Sequence, residues 1–532
     1  MDYKIFFILM LLAGLFQACS NNGTVENKGP NILIAISDDQ SFLSNSYSGS
    51  HEVQTPAFDR VAREGIFFTN CIAGSPGCAP SRSSLVTGRY PWQNEQSGQH
   101  ASSWMKKYVP FVDLLENNGY QVGFTGKGVA PFKYADNDSN QVWRKENAAG
   151  HEYNRIRYDR DNDERTTTGE HPINYFENFR DFLSKKGSGQ PFCFWYGSFE
   201  PHLPYEVDSW KRTDKNPGEV DVPKFLPGAD VVRGNLLDYN VEIEWFDLHL
   251  ERMLSYLEDI GELDNTIVIV TSDNGMPFPR AKANSYEYGI HVPLAIRYPK
   301  AFGQNLKVED LISFVDFAPT LLDLTGTSTE GMLPITGRSF KNILTAKKQG
   351  LVDESRKYVF SGRERHSSSR YLNWGYPQRA IRSQDYLLIW NIKPERWPAG
   401  APQRINPEGG LFPMYGIDEN GVHHSEWAFT DIDECPTKAY LIENHSVDSI
   451  RPYFDLAVAK RPEYELYNIK NDADCLNNLA EEPDYAEVFS TLKQELLQEL
   501  TVTADPRVVG PDKEIFDSYK RYSPIRDFPA PE

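Results

Sequence analysis

From residue 31 onward, continuous apolar runs alternate with amphipathic stretches, and this alternation constrains the fold more than any other feature. NILIAIS, VGFTG, FCFWYGSF and TIVIVTS are apolar at successive positions rather than at every second one. Such strands bury both faces. Between them come a helix opening at Thr55-Pro56, a short helix starting near Cys78, VPFVDLLENNG, NYFENFRDFLSKKG and the long run GNLLDYNVEIEWFDLHLERMLSYLEDIG. Strands of this kind separated by helices predict an α/β fold: a large, mainly parallel sheet flanked by helices on both faces. The long run places Leu237, Val241, Trp245 and Leu248 on one helical face, with His249 a surface or packing residue. VPLAIRYP and KYVFSGRE read as later strands of the same sheet.

Beyond residue 376 the alternation ends. Pro, Gly and Trp become frequent, RAIRSQDYLLIWN reads as a hairpin, and an acidic helix lies within EEPDYAEVFSTLKQELLQEL. A catalytic domain over 29–375 and a smaller α+β subdomain over 376–532 follow from this change, and 532 residues suffice for both. The formal net charge of -20 argues against a nucleic-acid partner. It also means that an anionic substrate must be captured by a local group of cations.

Lys4 precedes the apolar run IFFILMLLAGLF and then Gln17-Ala18-Cys19. Residues 1–18 therefore read as a signal peptide too short to span a bilayer. Cys19 with the polar stretch to Lys28 resembles a bacterial lipoprotein box and its linker, although Phe16 stands where Leu is commoner. The expected location is the periplasm or outer membrane, tethered only by lipid, with simple secretion as the alternative. Cys71, Cys193, Cys435 and Cys475 show no metal-ligand spacing and read as buried thiols or one disulfide.

The chemistry concentrates at strand ends. NILIAIS runs into Asp38-Asp39 and TIVIVTS into Asp273-Asn274. Ligands gather at the carboxyl ends of strands in doubly wound sheets, so these side chains predict one crevice. Carboxylates and an amide without a His or Cys cluster suit a hard cation, Ca²⁺ or Mg²⁺; each pair alone would equally make a turn or helix cap. In CAPSRSSLVTGR, Cys78 stands at a helix start whose free N–H groups would hold an anion and depress the thiol pKa, with Arg82 as a charged fork.

That run resembles the signature of the type I sulfatases, with Cys78, Pro80, Ser81, Arg82, Leu85, Thr87, Gly88 and Arg89 at the family spacings. The resemblance implies an alkaline-phosphatase-like fold, conversion of Cys78 by a maturase to formylglycine whose hydrate attacks sulfur, and Ca²⁺ (Mg²⁺ as the alternative) bound by Asp38, Asp39, Cys78, Asp273 and Asn274. It further implies that Arg82, Lys127, His202 and Lys282 hold the sulfate oxygens, with His202 or Lys282 protonating the leaving group. YELYNIKNDADCLNNLA resembles the C-terminal segment of many sulfatases. Two departures stand out. Val122 replaces the usual Ser or Thr, and Val129 replaces a histidine that serves as base, for which His100 is a candidate substitute.

SDNGMPFPRAKANSY, FEPH and YPQRAIRSQDYLLIWN look like stretches of the sulfamidases, with Lys282 replacing that group's arginine. They imply a sulfated glucosamine of heparin or heparan sulfate as substrate, with the N-sulfate as target and Glu200 and Arg379 in contact with it. Glu200 beside His202 would hold the departing amine. The alternatives are a 6-O- or 2-O-sulfatase, a phosphodiesterase or phosphonate hydrolase of the same superfamily, and a non-catalytic glycan-binding lipoprotein.

Overall fold

The computed structural model describes residues 29–136, 139–159, 161 and 163–531. The signal-peptide and Cys19 lipidation expectations fall outside the described residues. Strands β1 (Asn31–Ser37), β2 (Ile66–Ile72), β3 (Gln121–Gly126), β4 (His151–Glu152), β5 (Phe192–Gly197), β6 (Thr266–Ser272), β7 (His291–Arg297), β8 (Leu306–Val308) and β9 (Ile312–Ser313) form one nine-stranded sheet. Its order is β8-β2-β7-β6-β1-β5-β3-β4, with β9 also on β2. β7 runs antiparallel to β2 and β6; the other pairings are parallel. The sheet is mainly parallel, as expected.

All seven residues of β1 are buried. Ile32, Ile34 and Ile36 pack into one layer with Leu85, Trp104, Phe111 and Phe317, while Leu33 and Ala35 enter the other with Phe58, Phe182, Trp245 and Leu250. Both layers are helical. Helices α2 (Cys78–Thr87), α3 (Phe111–Asn117) and α6 (Phe317–Thr325) cover the first face; α1 (Pro56–Glu64), α4 (Tyr175–Ser184) and α5 (Asp230–Asp259) cover the second. Truncating one such central isoleucine to Ala would cost about 2–5 kcal/mol.

α5 differs from the one-faced helix read from sequence. Leu237, Val241 and Trp245 are buried and Leu248 half-buried, but Asn235, Asp238, Glu242 and Asp247 are buried as well. The cause is a second packing partner: the C-terminal helix Pro436–Glu443 lies against α5, and Thr437 Oγ1 donates to Asn235 Oδ1 at 2.8 Å. Asp247 accepts the backbone N–H groups of Ala57 and Phe58 at 2.8 Å, capping α1 from a distance. His249 is a packing residue, edge-on to Trp245 at 4.8 Å.

The second sheet is antiparallel, in the order β10 (Val359–Arg363), β11 (Gln378–Arg382), β12 (Tyr386–Asn391) and β13 (Tyr464–Asn468). KYVFSGRE thus forms the edge of this sheet and not a later strand of the large one, so the small sheet takes its first strand from before residue 376. β11 and β12 make the expected hairpin, packed against helix α7 (Ala486–Val502). Cys71, Cys193, Cys435 and Cys475 are buried free thiols.

Candidate active site

Register brings the chemistry together. Ile36 stands opposite Gly197, Ser37 opposite Ser272, and Gly126 opposite Gly197, so β3, β5, β1 and β6 end level. Beyond these ends lie Lys127, His202, the Asp38-Asp39 pair and the Asp273-Asn274 pair, all on one edge of the sheet. β2 runs in the same direction and leads into α2, whose first residue is Cys78 and whose N-cap is Gly77. Gly88 at φ 66 ends α2, as its left-handed backbone requires. Asp39 also holds a left-handed backbone at φ 76, where its N–H reaches Asp273 Oδ1 at 3.1 Å.

Each buried carboxylate has a cation. Lys127 Nζ lies 2.5 Å from Asp38 Oδ2, Arg82 Nε 2.7 Å from Asp273 Oδ2, and Lys282 Nζ 2.6 Å from Asp39 Oδ2. Arg82 Nη1 donates to the carbonyls of Lys127 and Gly128 at 2.8 and 2.9 Å, which fixes the guanidinium plane. Lys282 Nζ also reaches Asp433 Oδ2 at 2.7 Å and His202 Nε2 at 3.0 Å.

Burial acts to raise Asp38, but Lys127, His202, Arg82 and Lys282 outweigh it and hold this carboxyl well below the usual range. Asp273 is pushed up to about 6 by burial and by Asp38, against Arg82 and Lys127. Cys78 is pushed up to about 11. Burial is the largest cause, Lys127 opposes it, and Asp38 and Asp273 add to it. The depressed thiol pKa expected from the helix start is therefore overturned, because desolvation beside two carboxylates exceeds the helix-end effect.

Oxygen and sulfur atoms of Asp38, Cys78 and Asp273 lie within 4.8 Å of one another. Asp38 Oδ1 and Asn274 Oδ1 are buried and without a hydrogen-bond partner. Orphaned buried oxygens of this kind are costly unless a cation takes them, so the donor set fits a hard divalent ion. Asp39, His202 and Asp433 form a second group within 4.8 Å. The Lys282 amine already occupies that one.

Two expected substrate contacts are corrected. Glu200 is buried and accepts from Ser198 Oγ at 2.5 Å, Tyr175 OH at 2.9 Å and the His171 N–H at 2.6 Å. These three donors turn it into the core. Arg379 is 1% exposed, bound to Asp505 at 2.6 Å and Glu364 at 2.8 Å inside the small sheet, so it has no group left for a ligand. Val129 is fully buried. His100 is half-buried beside His366, with ring centroids 5.1 Å apart, and both imidazoles are held neutral, chiefly by desolvation. His366 Nδ1 lies 3.1 Å from where a Cβ on Gly77 would stand, so a larger residue at that position would press on the imidazole. Asp433 and His366 were missed by sequence reading: each sits in an irregular segment without a flanking motif.

The level strand ends, the cation-rich crevice and the buried oxygen donors define a hydrolase of anionic esters on the alkaline-phosphatase-like fold. The chain belongs to the sulfatase family, which it matches over residues 30–327. Residues 281–398 match the C-terminal family described as N-sulphoglucosamine sulphohydrolase, C-terminal. The chain is 27% identical to human N-sulphoglucosamine sulphohydrolase, covering 95% of this chain and 94% of that protein. It is 26% identical to an N-acetylglucosamine-6-O-sulfatase of Bacteroides thetaiotaomicron, covering 72% and 82%. A protein solved with its substrate D-glucosamine-2-N,6-O-disulfate superposes with TM-score 0.60 at 21% identity, covering 90% of this chain and 99% of that one. The chain is a sulfuric ester or sulfamate hydrolase, and the family generally uses a formylglycine and a divalent metal.

Proposed function

We propose that this sulfatase removes the N-sulfate from glucosamine of heparin or heparan sulfate, with formylglycine made from Cys78 and Ca²⁺, or alternatively Mg²⁺, held by Asp38, Asp39, Asp273 and Asn274. The observation that carries this reading is the likeness to human N-sulphoglucosamine sulphohydrolase along 95% of the chain. When present, the ion polarises a sulfate oxygen and the hydrated aldehyde supplies the nucleophile.

The chain's own residues supply the rest. Arg82 is clamped by Asp273 and two carbonyls, while its Nη2 remains buried and without a hydrogen-bond partner, a donor for an oxyanion. Lys127 is held on Asp38 and adds a fixed positive charge beside Cys78. His202 Nδ1 faces the Leu203 carbonyl at 2.5 Å, so the tautomer assigned by that contact leaves Nε2 toward Lys282 Nζ at 3.0 Å. A proton shared between those two atoms is the one delivered to the departing nitrogen. Asp433, with its side chain 26% exposed, then receives the product ammonium in the role first assigned to Glu200. An alcohol leaving group would gain little from that carboxylate.

Comparison of glucosamine N-sulfate with glucosamine 6-O-sulfate at matched concentrations tests the reading, and a kcat/KM preference for the N-sulfate is expected. Preference for the O-sulfate would support the second reading, a 6-O-sulfatase, which is favoured by the similarity to the N-acetylglucosamine-6-O-sulfatase. The leader and Cys19 are proposed to export and lipidate the enzyme.

A further inference from the structure

In a chain of net charge -20, a group of unpaired arginines is conspicuous. The C-terminal segment after Phe516 runs back against residues 99–102. Gln99 Nε2 donates to the Phe516 carbonyl at 2.8 Å, Ser102 Oγ to that of Lys520 at 3.1 Å, and the Tyr522 N–H to that of Ala101 at 3.1 Å. The segment is thereby fastened beside His100.

Among the described residues Arg521 Nη1 meets the His366 carbonyl, at 3.3 Å, and its Nε is buried without a partner there. His366 is the residue pressed against Gly77, next to the nucleophile position. The Arg526 backbone N–H donates to Ser368 Oγ and its Nη1 to the Ser368 carbonyl at 3.2 Å, while Arg404 Nη1 donates to the Glu426 carbonyl at 2.9 Å. Among the described residues none of Arg404, Arg521 and Arg526 has a carboxylate within salt-bridge distance, although arginines elsewhere in the chain commonly do. After burial, the largest influence on Arg521 and on Arg404 is the positive charge of Arg526. Asp431 opposes this at Arg521, and Glu426 and Asp527 oppose it at Arg404, but none of the three carboxylates reaches ion-pair distance, so half-buried like charges are left incompletely offset and would gain from an added anion.

We propose that Arg521, supported by Arg526 and Arg404, binds an oxyanion of the substrate other than the sulfate being cleaved. This deepens the glucosamine-sulfatase reading and rests on it. Two substrate groups share that chemistry: a second sulfate on the same sugar and the carboxylate of an adjoining uronate. The Arg521–His366–Gly77 succession links this arginine through one residue to the N-cap that precedes the nucleophile position. A planar guanidinium suits either oxyanion through paired donors.

The test uses the mature full-length enzyme and three ligands: singly sulfated glucosamine, glucosamine-2-N,6-O-disulfate, and a disaccharide of the singly sulfated sugar with a uronate. For each doubly anionic ligand the readout is its kcat/KM divided by that of the singly sulfated sugar. In Arg521→Gln one of these ratios is expected to fall about tenfold, with Arg521→Lys intermediate. The ligand whose ratio falls identifies the bound oxyanion. Raised ionic strength should shrink that ratio in the wild type more than in Arg521→Gln. Both ratios unchanged in Arg521→Gln would overturn the proposal; if that variant fails to fold, Arg526→Gln is read by the same criterion. The ratio is measured on whichever sulfate is released, so failure of the N-sulfate reading leaves this test intact.

Discussion

Asp433→Asn tests whether the C-terminal segment takes part in the chemistry. In the wild type the Lys282 amine touches Asp39 at 2.6 Å and Asp433 at 2.7 Å, with side-chain exposures of 3% for Lys282 and 26% for Asp433. A charge-assisted hydrogen bond is worth about 1.5–3 kcal/mol, and partial exposure of Asp433 puts this one in the lower part, about 1.5–2 kcal/mol. At about 1.4 kcal/mol per decade, kcat/KM should fall roughly 12- to 30-fold. Asn keeps the volume, and Asp39 still holds Lys282, so the fold should survive. The assay is sulfate release by wild type, Asp433→Asn, Lys282→Met and the double variant, read as a cycle. Coupling near the single-variant loss is expected, since Asp433 acts through Lys282. Strict additivity would refute the reasoning, because Asp433 would then act independently of the lysine.

Cys78→Ala should abolish turnover, and peptide mass analysis of active enzyme should find the aldehyde; active enzyme carrying only a thiol would contradict this, since at about 11 that thiol is neutral near pH 7. Chelation should remove activity and lower the thermal midpoint, because it leaves Asp38 Oδ1 and Asn274 Oδ1 buried without a partner; activity and midpoint both unchanged would count against the site. Glu170 is pushed up to about 7 by burial, so the native state binds the extra proton and stability falls as pH rises from about 4.5 to 7. Glu170→Gln should therefore raise the thermal midpoint at pH 8 and leave it little changed at pH 4.5, and equal shifts at both would refute the cause. Cys19→Ala should release the protein from membranes, as fractionation would show.

Where a residue followed a both-face-buried strand, its place could be read from sequence. Asp38, Lys127, His202 and Asp273 converge because parallel strands in register must end level, a rule that needs no knowledge of packing. The long-range partners followed no such rule. Glu200 sits beside His202 in sequence, yet Tyr175, Ser198 and His171 draw its carboxylate inward; Arg379 lies in the predicted hairpin, yet Asp505 and Glu364 claim it. For a charged side chain, function depends on which partner reaches it first, and those partners lie over a hundred residues away in the case of Asp505. Asp433 and His366 had no periodic or spacing signal at all. KYVFSGRE was read as a strand correctly but put in the wrong sheet, since an apolar run does not state its neighbour.

The charge arrangement resolves how so acidic a chain receives an anion. Asp38, Asp39, Asp273 and Asp433 face Arg82, Lys127 and Lys282, which leaves the crevice with one negative charge in excess. In that state the site would repel sulfate. One divalent cation at the orphaned oxygens of Asp38 and Asn274 reverses the sign, so the same carboxylates that fix the three cations also make anion binding conditional on the metal. Competition by inorganic sulfate should accordingly depend on metal occupancy. Binding of sulfate that is equally tight before and after chelation would show that the three cations suffice alone, and the role given to the paired strand ends would have to be withdrawn.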